Sequence, residues 1–308
     1  MSALRIGTRG SALALWQART VASLLETRRV ATEIVVYKTS GDRLQDAPLT
    51  EVGTKGLFVK ELEDALLAGA IDLAVHSAKD MSVTLPPGLA VAAVLPREDP
   101  RDAIVLPAPA PVAGGFADVK AALDGAPVIG TSSIRRAAQL RALFPSARFV
   151  PVRGNVDTRL RKLDGGDFDA IVLAAAGLKR LGYGGRITYA LEIDHCIPAP
   201  CQGIIAIETR LDVPEGIRGL NDADADESFR AERALVAALG GGCQLPLGAI
   251  TNAAGGQLDM TAIVVSPDGA RRVTATAVTG RGRPEAFGRE MADGLAREGA
   301  VAILDEVR

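Results

Sequence analysis

A strand and helix alternation that runs, stops and starts again constrains this chain more than any other feature. LRIGTR (4–9) reads as a short strand, and Ser11 stands as the N-cap of the helix SALALWQARTVASLLE, where Leu15, Ala18, Ala22 and Leu25 recur at helical spacing. EIVVYKT reads as a second strand, a polar loop follows from Ser40 to Gly56, a helix runs from about Phe58 to Ala68, and IDLAVHS is a third, mostly buried strand. Strands alternating with helices predict a parallel sheet with crossover helices. After a proline- and alanine-rich stretch, VLPAPAPVAGG (105–115), the pattern restarts as APVIGTSS with SIRRAAQLRAL, ARFVPVRG with NVDTRLRKL, and FDAIVLAAAGLKRL. Two similar α/β units are the expectation.

PREDPRD (96–102) and PAPCQGIIAIE (198–208) read as two crossings between these units, the second returning a strand to the first. A double crossing makes a hinge around a cleft, as in two-lobed, periplasmic-binding-protein-like folds. From about Asn221 the character changes to one helix (DESFRAERALVAAL), a glycine turn (GGGCQLP), strands including LDMTAIVV and RRVTATAV around SPDG, and a terminal helix. The fold class is therefore α/β, with two such lobes plus a small α+β C-terminal domain. The expected boundaries are 1–100 with 203–220 for the first lobe, 104–197 for the second and 221–308 for the third domain.

A chain of 308 residues with 48% hydrophobic content exceeds one comfortable core, which agrees with several domains. The net charge of −2 gathers no nucleic acid, and aromatics at 4% leave few stacking platforms. No membrane span and no export signal are read, and three cysteines point to free thiols in a reducing, cytoplasmic compartment. The basic residues are lopsided, with 28 arginines among 35. Arginine's planar fork suits carboxylates and phosphates, but codon bias also explains the total, so position must decide.

Three sites place arginines where a strand ends and a helix begins: GTSSIRR (130–136), VRGNVDTR (152–159) and AGLKR (176–180). Unpaired N–H groups at a helix start, joined by Arg135, Arg136, Arg153 and Arg159, favour an anion. TRGS (8–11) and TKGLFVKE (54–61) mirror this from the first unit with Arg9, Ser11, Lys55 and Lys60; the bland reading of Lys60 is a surface partner for Glu63. HSAKD (76–80) stands where a buried strand emerges into a crevice, so Asp80 meets low dielectric and opposing cations and suits acid–base work, a turn cap being its structural alternative. His76 reads as a strand-end histidine satisfied by hydrogen bonds. Cys243 falls in a turn after a helix, where an electrophile reaches a thiol, while Cys196, Cys201 and His195 lack the spacing of a metal site; no metal is expected.

GTRGSALALWQA, KGLFVKELE, DLAVHSAKDM, REDPRDA, IGTSSIRR, RGNVDTRLRKLD, AAAGLKRLG, CQGIIAIE and GGCQLPLG stand in the order found in porphobilinogen deaminases, and together the chain resembles that family from residue 4 to about 250. The resemblance implies a hydroxymethylbilane synthase: four porphobilinogens condensed head to tail on a dipyrromethane cofactor, itself thioether-linked to the cysteine matching Cys243. Asp80 would handle protons at the aminomethyl leaving group and stabilise the cation formed as ammonia departs. Each porphobilinogen carries an acetate and a propionate, which gives the arginine-lined turns a reason. Matching residue by residue, Lys79, Ser132, Ser133, Arg135 and Arg136 would hold the cofactor, and Arg9, Ser11, Gln17, Lys60, Arg153, Arg159 and Arg180 the substrate. The resemblance also favours a monomer. One departure is visible: where many relatives have glycine before the glutamine of this segment, Cys201 precedes Gln202. The alternative function is a non-enzymatic two-lobed anion-binding or ligand-sensing protein, which needs neither a covalent anchor nor an acid.

Overall fold

The computed structural model describes residues 3–37, 59–241 and 245–307. The loop read from Ser40 to Gly56, Lys55 within the second motif, and Cys243 lie outside the described residues. In the first lobe β1 (Leu4–Arg9), β2 (Thr32–Tyr37) and β3 (Leu73–Ser77) run parallel in the order β2-β1-β3. Helix α1 (Ala12–Thr27) starts where expected, because the Ser11 Oγ accepts the Ala14 N–H at 3.3 Å. Its Ala18, Val21 and Leu25, spaced by three and four, are fully buried against the sheet. Helix α2 (Lys60–Leu67) covers the other face with Leu62 and Leu66, and β4 (Leu89–Val94) stands one strand's width beyond β3.

The second lobe repeats the plan. It contains β5 (Asp102–Val105), α3 (Phe116–Ala122), β6 (Val128–Gly130), α4 (Ile134–Leu140), β7 (Arg148–Val150), α5 (Val156–Asp164), β8 (Ala170–Ala174), α6 (Ala175–Arg180) and β9 (Tyr189–Ala190). Its sheet order is β7-β6-β8-β5-β9, and that of the first lobe is β2-β1-β3-β10-β4 with β10 (Ile205–Arg210). In each lobe three parallel strands are followed by one that runs antiparallel: β10 against β3 and β4, β5 against β8 and β9. The sheets are therefore mixed, where alternation alone predicts parallel ones. The reason is topological, since each crossing segment enters its new lobe as the strand that runs the other way. Strands β3 and β8 are buried nearly throughout, as strands covered on both faces are.

Helix α7 (Ala223–Ala238), the antiparallel sheet β11 (Leu247–Ala254), β12 (Gln257–Val265) and β13 (Arg272–Gly280), and helices α8 (Pro284–Arg297) and α9 (Ala300–Asp305) form the C-terminal domain. One terminal helix is expected from the sequence; two are present, broken at Gly299, whose φ of 94° lies in the left-handed region. This domain packs on both lobes. Ala225 and Phe229 of α7 meet Ala78, Met81 and Ile204, and Ile250 and Ile263 meet Ala138 and Ile197.

The two crossings lie side by side and are stitched together. Glu98 donates its N–H to the Gly203 carbonyl at 3.1 Å, and Arg97 donates from Nε to the Gln202 carbonyl at 2.8 Å. Gly203 has a φ of 90°, and a Cβ there would fall 2.2 Å from the Glu98 carbonyl oxygen, so only glycine allows this approach. Glu232 of α7, fully buried, then locks the seam. Its carboxylate accepts both terminal nitrogens of Arg97, at 2.7 and 3.1 Å, and the backbone N–H groups of Cys201 and Thr251. Removing one partner of a buried pair costs about 3–5 kcal/mol, because the remaining charge is left uncompensated. Glu232→Gln is accordingly expected to lower the unfolding free energy by at least about 3 kcal/mol, measured by denaturant or thermal unfolding; a loss within experimental error would show that the seam holds without this charge.

Candidate active site

A cavity of about 470 Å³ opens where the two lobes, the crossings and the C-terminal domain converge. Its wall contains Lys79 and Asp80 from the end of β3, Ser132, Ser133, Arg135 and Arg136 from the turn into α4, Arg153 and Arg159 from the turn into α5, Cys201 and Gln202 from the second crossing, and Arg233 and Leu245 from the C-terminal domain. Eight residues singled out in the sequence thus come together, from three strand ends in two lobes. Strand ends at the crevice of open α/β sheets are where ligands bind.

The local reasons are short-range. Ser133 is the N-cap of α4 and accepts the Arg136 N–H at 3.4 Å, and the Ser132 hydroxyl donates to the Val152 carbonyl at 2.8 Å, tying the first arginine turn to the second. Arg159 Nε donates to the Gly154 carbonyl at 2.7 Å, which folds its side chain back over its own turn. Arg135 and Arg136 are 4% and 7% exposed, and neither is a free cation. Arg135 Nη1 lies 2.7 Å from one oxygen of Asp102 and Arg136 Nη2 lies 2.7 Å from the other. Burial would raise the Asp102 carboxyl, but the two facing guanidiniums outweigh it and hold it well below the usual carboxylate range. Asp102 and Gln202 were missed as site residues by sequence reasoning; the only signal was their place in the two crossings.

On the first lobe, Asp80 ends a single helical turn (Ala78–Asp80) whose N-cap is Ser77, so it is not the cap of that turn. Its side chain is exposed at the cavity, within electrostatic reach of Lys79 on its own lobe and Arg159 on the other. Desolvation lowers the Lys79 ammonium to about 8, offset in part by Asp80. Desolvation, with repulsion from Arg136, lowers the Arg159 guanidinium to about 10, again offset by Asp80. Perturbed pKa values of groups in a cleft are a mark of functional sites.

Other residues singled out lie outside the cavity wall. Gln17 is buried in α1 and donates to the Ser77 hydroxyl at 2.8 Å, bracing β3 just before Asp80. Ser11 caps α1, Arg9 ends β1, and Lys60 is exposed at the first position of α2, whose Glu63 faces inward rather than pairing on the surface. Arg180 is the last residue of the six-residue helix α6, which begins directly after β8. It donates to the Gly203 carbonyl at 2.6 Å and lies 5.7 Å from the Trp16 ring centroid of the opposite lobe, a cation–π contact across the cleft. His76 is buried and held by Glu208 at 2.9 Å. Cys196 is buried beside Asp102, and burial pushes its thiol up to about 12. Cys201, 2% exposed, has a φ of 62°, the left-handed region that favours glycine. Among the described residues no helix is long and apolar enough to cross a membrane.

Residues 4–216 match the family described as porphobilinogen deaminase, dipyromethane cofactor binding domain, and residues 227–297 the porphobilinogen deaminase C-terminal domain. A porphobilinogen deaminase from Syntrophomonas wolfei is 45% identical over 313 aligned positions, covering 100% of both chains. One from Pelobacter propionicus is 46% identical over 99% of this chain and 97% of the relative. Among solved structures, the VFT2 domain of Bordetella pertussis BvgS is similar with a TM-score of 0.42 and 21% identity, covering 73% of this chain and 90% of that one. The two family matches and the end-to-end identity lead to one conclusion: the chain belongs to the porphobilinogen deaminase family.

Proposed function

We propose that the chain is a hydroxymethylbilane synthase, joining four porphobilinogen molecules head to tail on a covalently held dipyrromethane, with loss of ammonia at each addition and final release of the linear tetrapyrrole by hydrolysis. The observation that carries this reading is one cavity in which the Asp80 carboxylate faces cations from the opposite lobe. The substrate's acetate and propionate suit Arg135, Arg136, Arg153 and Arg159, and the incoming aminomethyl group suits Asp80. Dipyrromethane is the cofactor of this family, and the cation-lined wall fits its carboxylates. When bound it supplies the pyrrole position to which each new unit is added. We assign its attachment to Cys243, two residues before Leu245 in the cavity wall, and its grip to Lys79, Ser132, Ser133, Arg135 and Arg136.

The chain's own residues supply three things to the reaction. Asp80 holds and moves a proton at the aminomethyl nitrogen, and its negative charge stabilises the positive charge that develops on the substrate as ammonia leaves. The arginines and Lys79 fix the carboxylates, which orients the reacting carbon. Arg9, Ser11, Gln17, Lys60 and Arg180, outside the cavity wall, are assigned to substrate contacts as the chain of pyrroles lengthens. The reading extends to a cytoplasmic monomer with boundaries at 1–100 with 203–220, 104–197 and 221–308, the boundaries supported by sheet membership.

Incubation with porphobilinogen, followed for ammonia and hydroxymethylbilane, tests the activity, and intact mass tests the anchor. The wild-type chain should carry the added mass of a dipyrromethane, and Cys243→Ser should not, while Cys196→Ser and Cys201→Ser keep it. A wild-type chain without the adduct and without turnover would sink this reading in favour of a binding protein. In cofactor-loaded protein, Asp80→Asn should reduce single-turnover elongation by at least roughly 10²-fold with folding retained; elongation at the wild-type rate would remove Asp80 from the chemistry. The Lys79 charge, present at neutral pH and lost as pH rises through about 8, gives a third expectation. The KM for porphobilinogen should climb above that pH, and Lys79→Arg should move the climb to higher pH; an unchanged profile would show that Lys79 does not contact the anion.

A further inference from the structure

Asp102 is the first residue of β5, where the first crossing enters the second lobe, and its side chain is fully buried. Besides Arg135 and the Arg136 Nη2, its oxygens accept Arg136 Nε at 2.9 Å and Gln202 Nε2 at 2.9 Å. Gln202 donates also to the Pro100 carbonyl at 2.7 Å, and its Oε1 accepts the Lys79 Nζ at 3.2 Å. One carboxylate therefore stands behind two guanidiniums of the cavity wall, and a single amide joins it to the ammonium of the opposite lobe. Each guanidinium has a second fixed point: Arg135 Nη1 donates to the Ile197 carbonyl at 2.7 Å, and Arg136 Nη1 to the Val172 carbonyl at 2.9 Å. Two fixed points set the plane of a rigid fork.

We propose that Asp102 is a positioning residue that aims Arg135 and Arg136 at the carboxylates of the bound pyrroles and, through Gln202, ties Lys79 beside Asp80 to the same frame. The proposal rests on the function proposed above. It makes a prediction opposite in sign to simple charge counting. Counted as charge alone, Asp102 opposes the binding of a polycarboxylate, and its removal would strengthen binding by leaving both arginines without a counter-charge. Counted as geometry, its removal frees two side chains with large rotamer entropy, which must then be ordered again by each ligand.

The test compares the full-length wild type with Asp102→Asn, which keeps the shape and removes the charge. Intact mass gives the fraction of chains that carry the dipyrromethane, steady-state kinetics give KM and kcat for porphobilinogen, and thermal unfolding reports folding. The proposal expects a lower loaded fraction and a KM raised roughly 10- to 100-fold, as when charge-assisted hydrogen bonds go slack, with a smaller change in kcat per loaded chain. A folded Asp102→Asn with KM at or below the wild-type value overturns it, because Asp102 then serves only structure or charge balance. Should Asp102→Asn fail to fold, Gln202→Met leaves every charge in place and cuts only the tie to Lys79. It should raise KM and lower the loaded fraction, and wild-type values of both overturn the proposal. Failure of the wild type itself to turn over porphobilinogen would count against the proposed function instead, so the two failures are told apart.

Discussion

The buried carboxylate of Glu232 is the interaction on which the arrangement of the three parts depends. It takes the Arg97 guanidinium from the first crossing, the Cys201 N–H from the second and the Thr251 N–H from the C-terminal sheet. Four donors on one carboxylate offset its desolvation, which a single ion pair seldom does. Because both crossings are held at this point, the lobes meet at a defined seam, and the C-terminal domain acts as the block to which that seam is fastened. The cavity lies directly against it, with Cys201 and Gln202 in its wall.

Two carboxylates near that cavity live in different surroundings. Asp102 sits behind the arginines, fully buried and saturated with donors, and the two guanidiniums favour its anionic form. Asp80 faces the cavity from the other lobe, exposed, in the field of Lys79 and Arg159. On the function proposed above, the locked carboxylate suits holding and the accessible one chemistry.

The sequence made legible what is local. Strand ends, N-caps and the basic residues beside them lie within a few positions of one another, so the turns carrying Arg135, Arg136, Arg153 and Arg159, and the strand end carrying Asp80, were readable before any fold was known. AAAGLKR carries no cap to mark a helix start, and α6 begins at Ala175 directly from the strand. Asp102 and Glu232 were not legible as partners: 34 positions separate Asp102 from Arg136, 100 separate it from Gln202, and 135 separate Glu232 from Arg97. Nothing in hydrophobic period or capping reports pairings at such range. The antiparallel strands β5 and β10 were hidden for a related reason, since direction within a sheet is set by which lobe the chain enters and not by the strand's own residues.

The exchange of strands across the hinge also fixes an order of assembly at the ribosome. All five strands of the second lobe's sheet lie within residues 102–190, so every strand that sheet needs is available once this stretch has emerged. The first lobe's sheet still lacks one, because β10 at 205–210 must slot between β3 and β4, strands made more than a hundred residues earlier. Until then β3 and β4 have no neighbour on their facing sides, and the N-terminal half of the chain waits with open sheet edges. The part of the molecule that carries Asp80 is synthesised early and closes late, since its sheet can be completed only after the residues of the lobe that carries the arginines have been made.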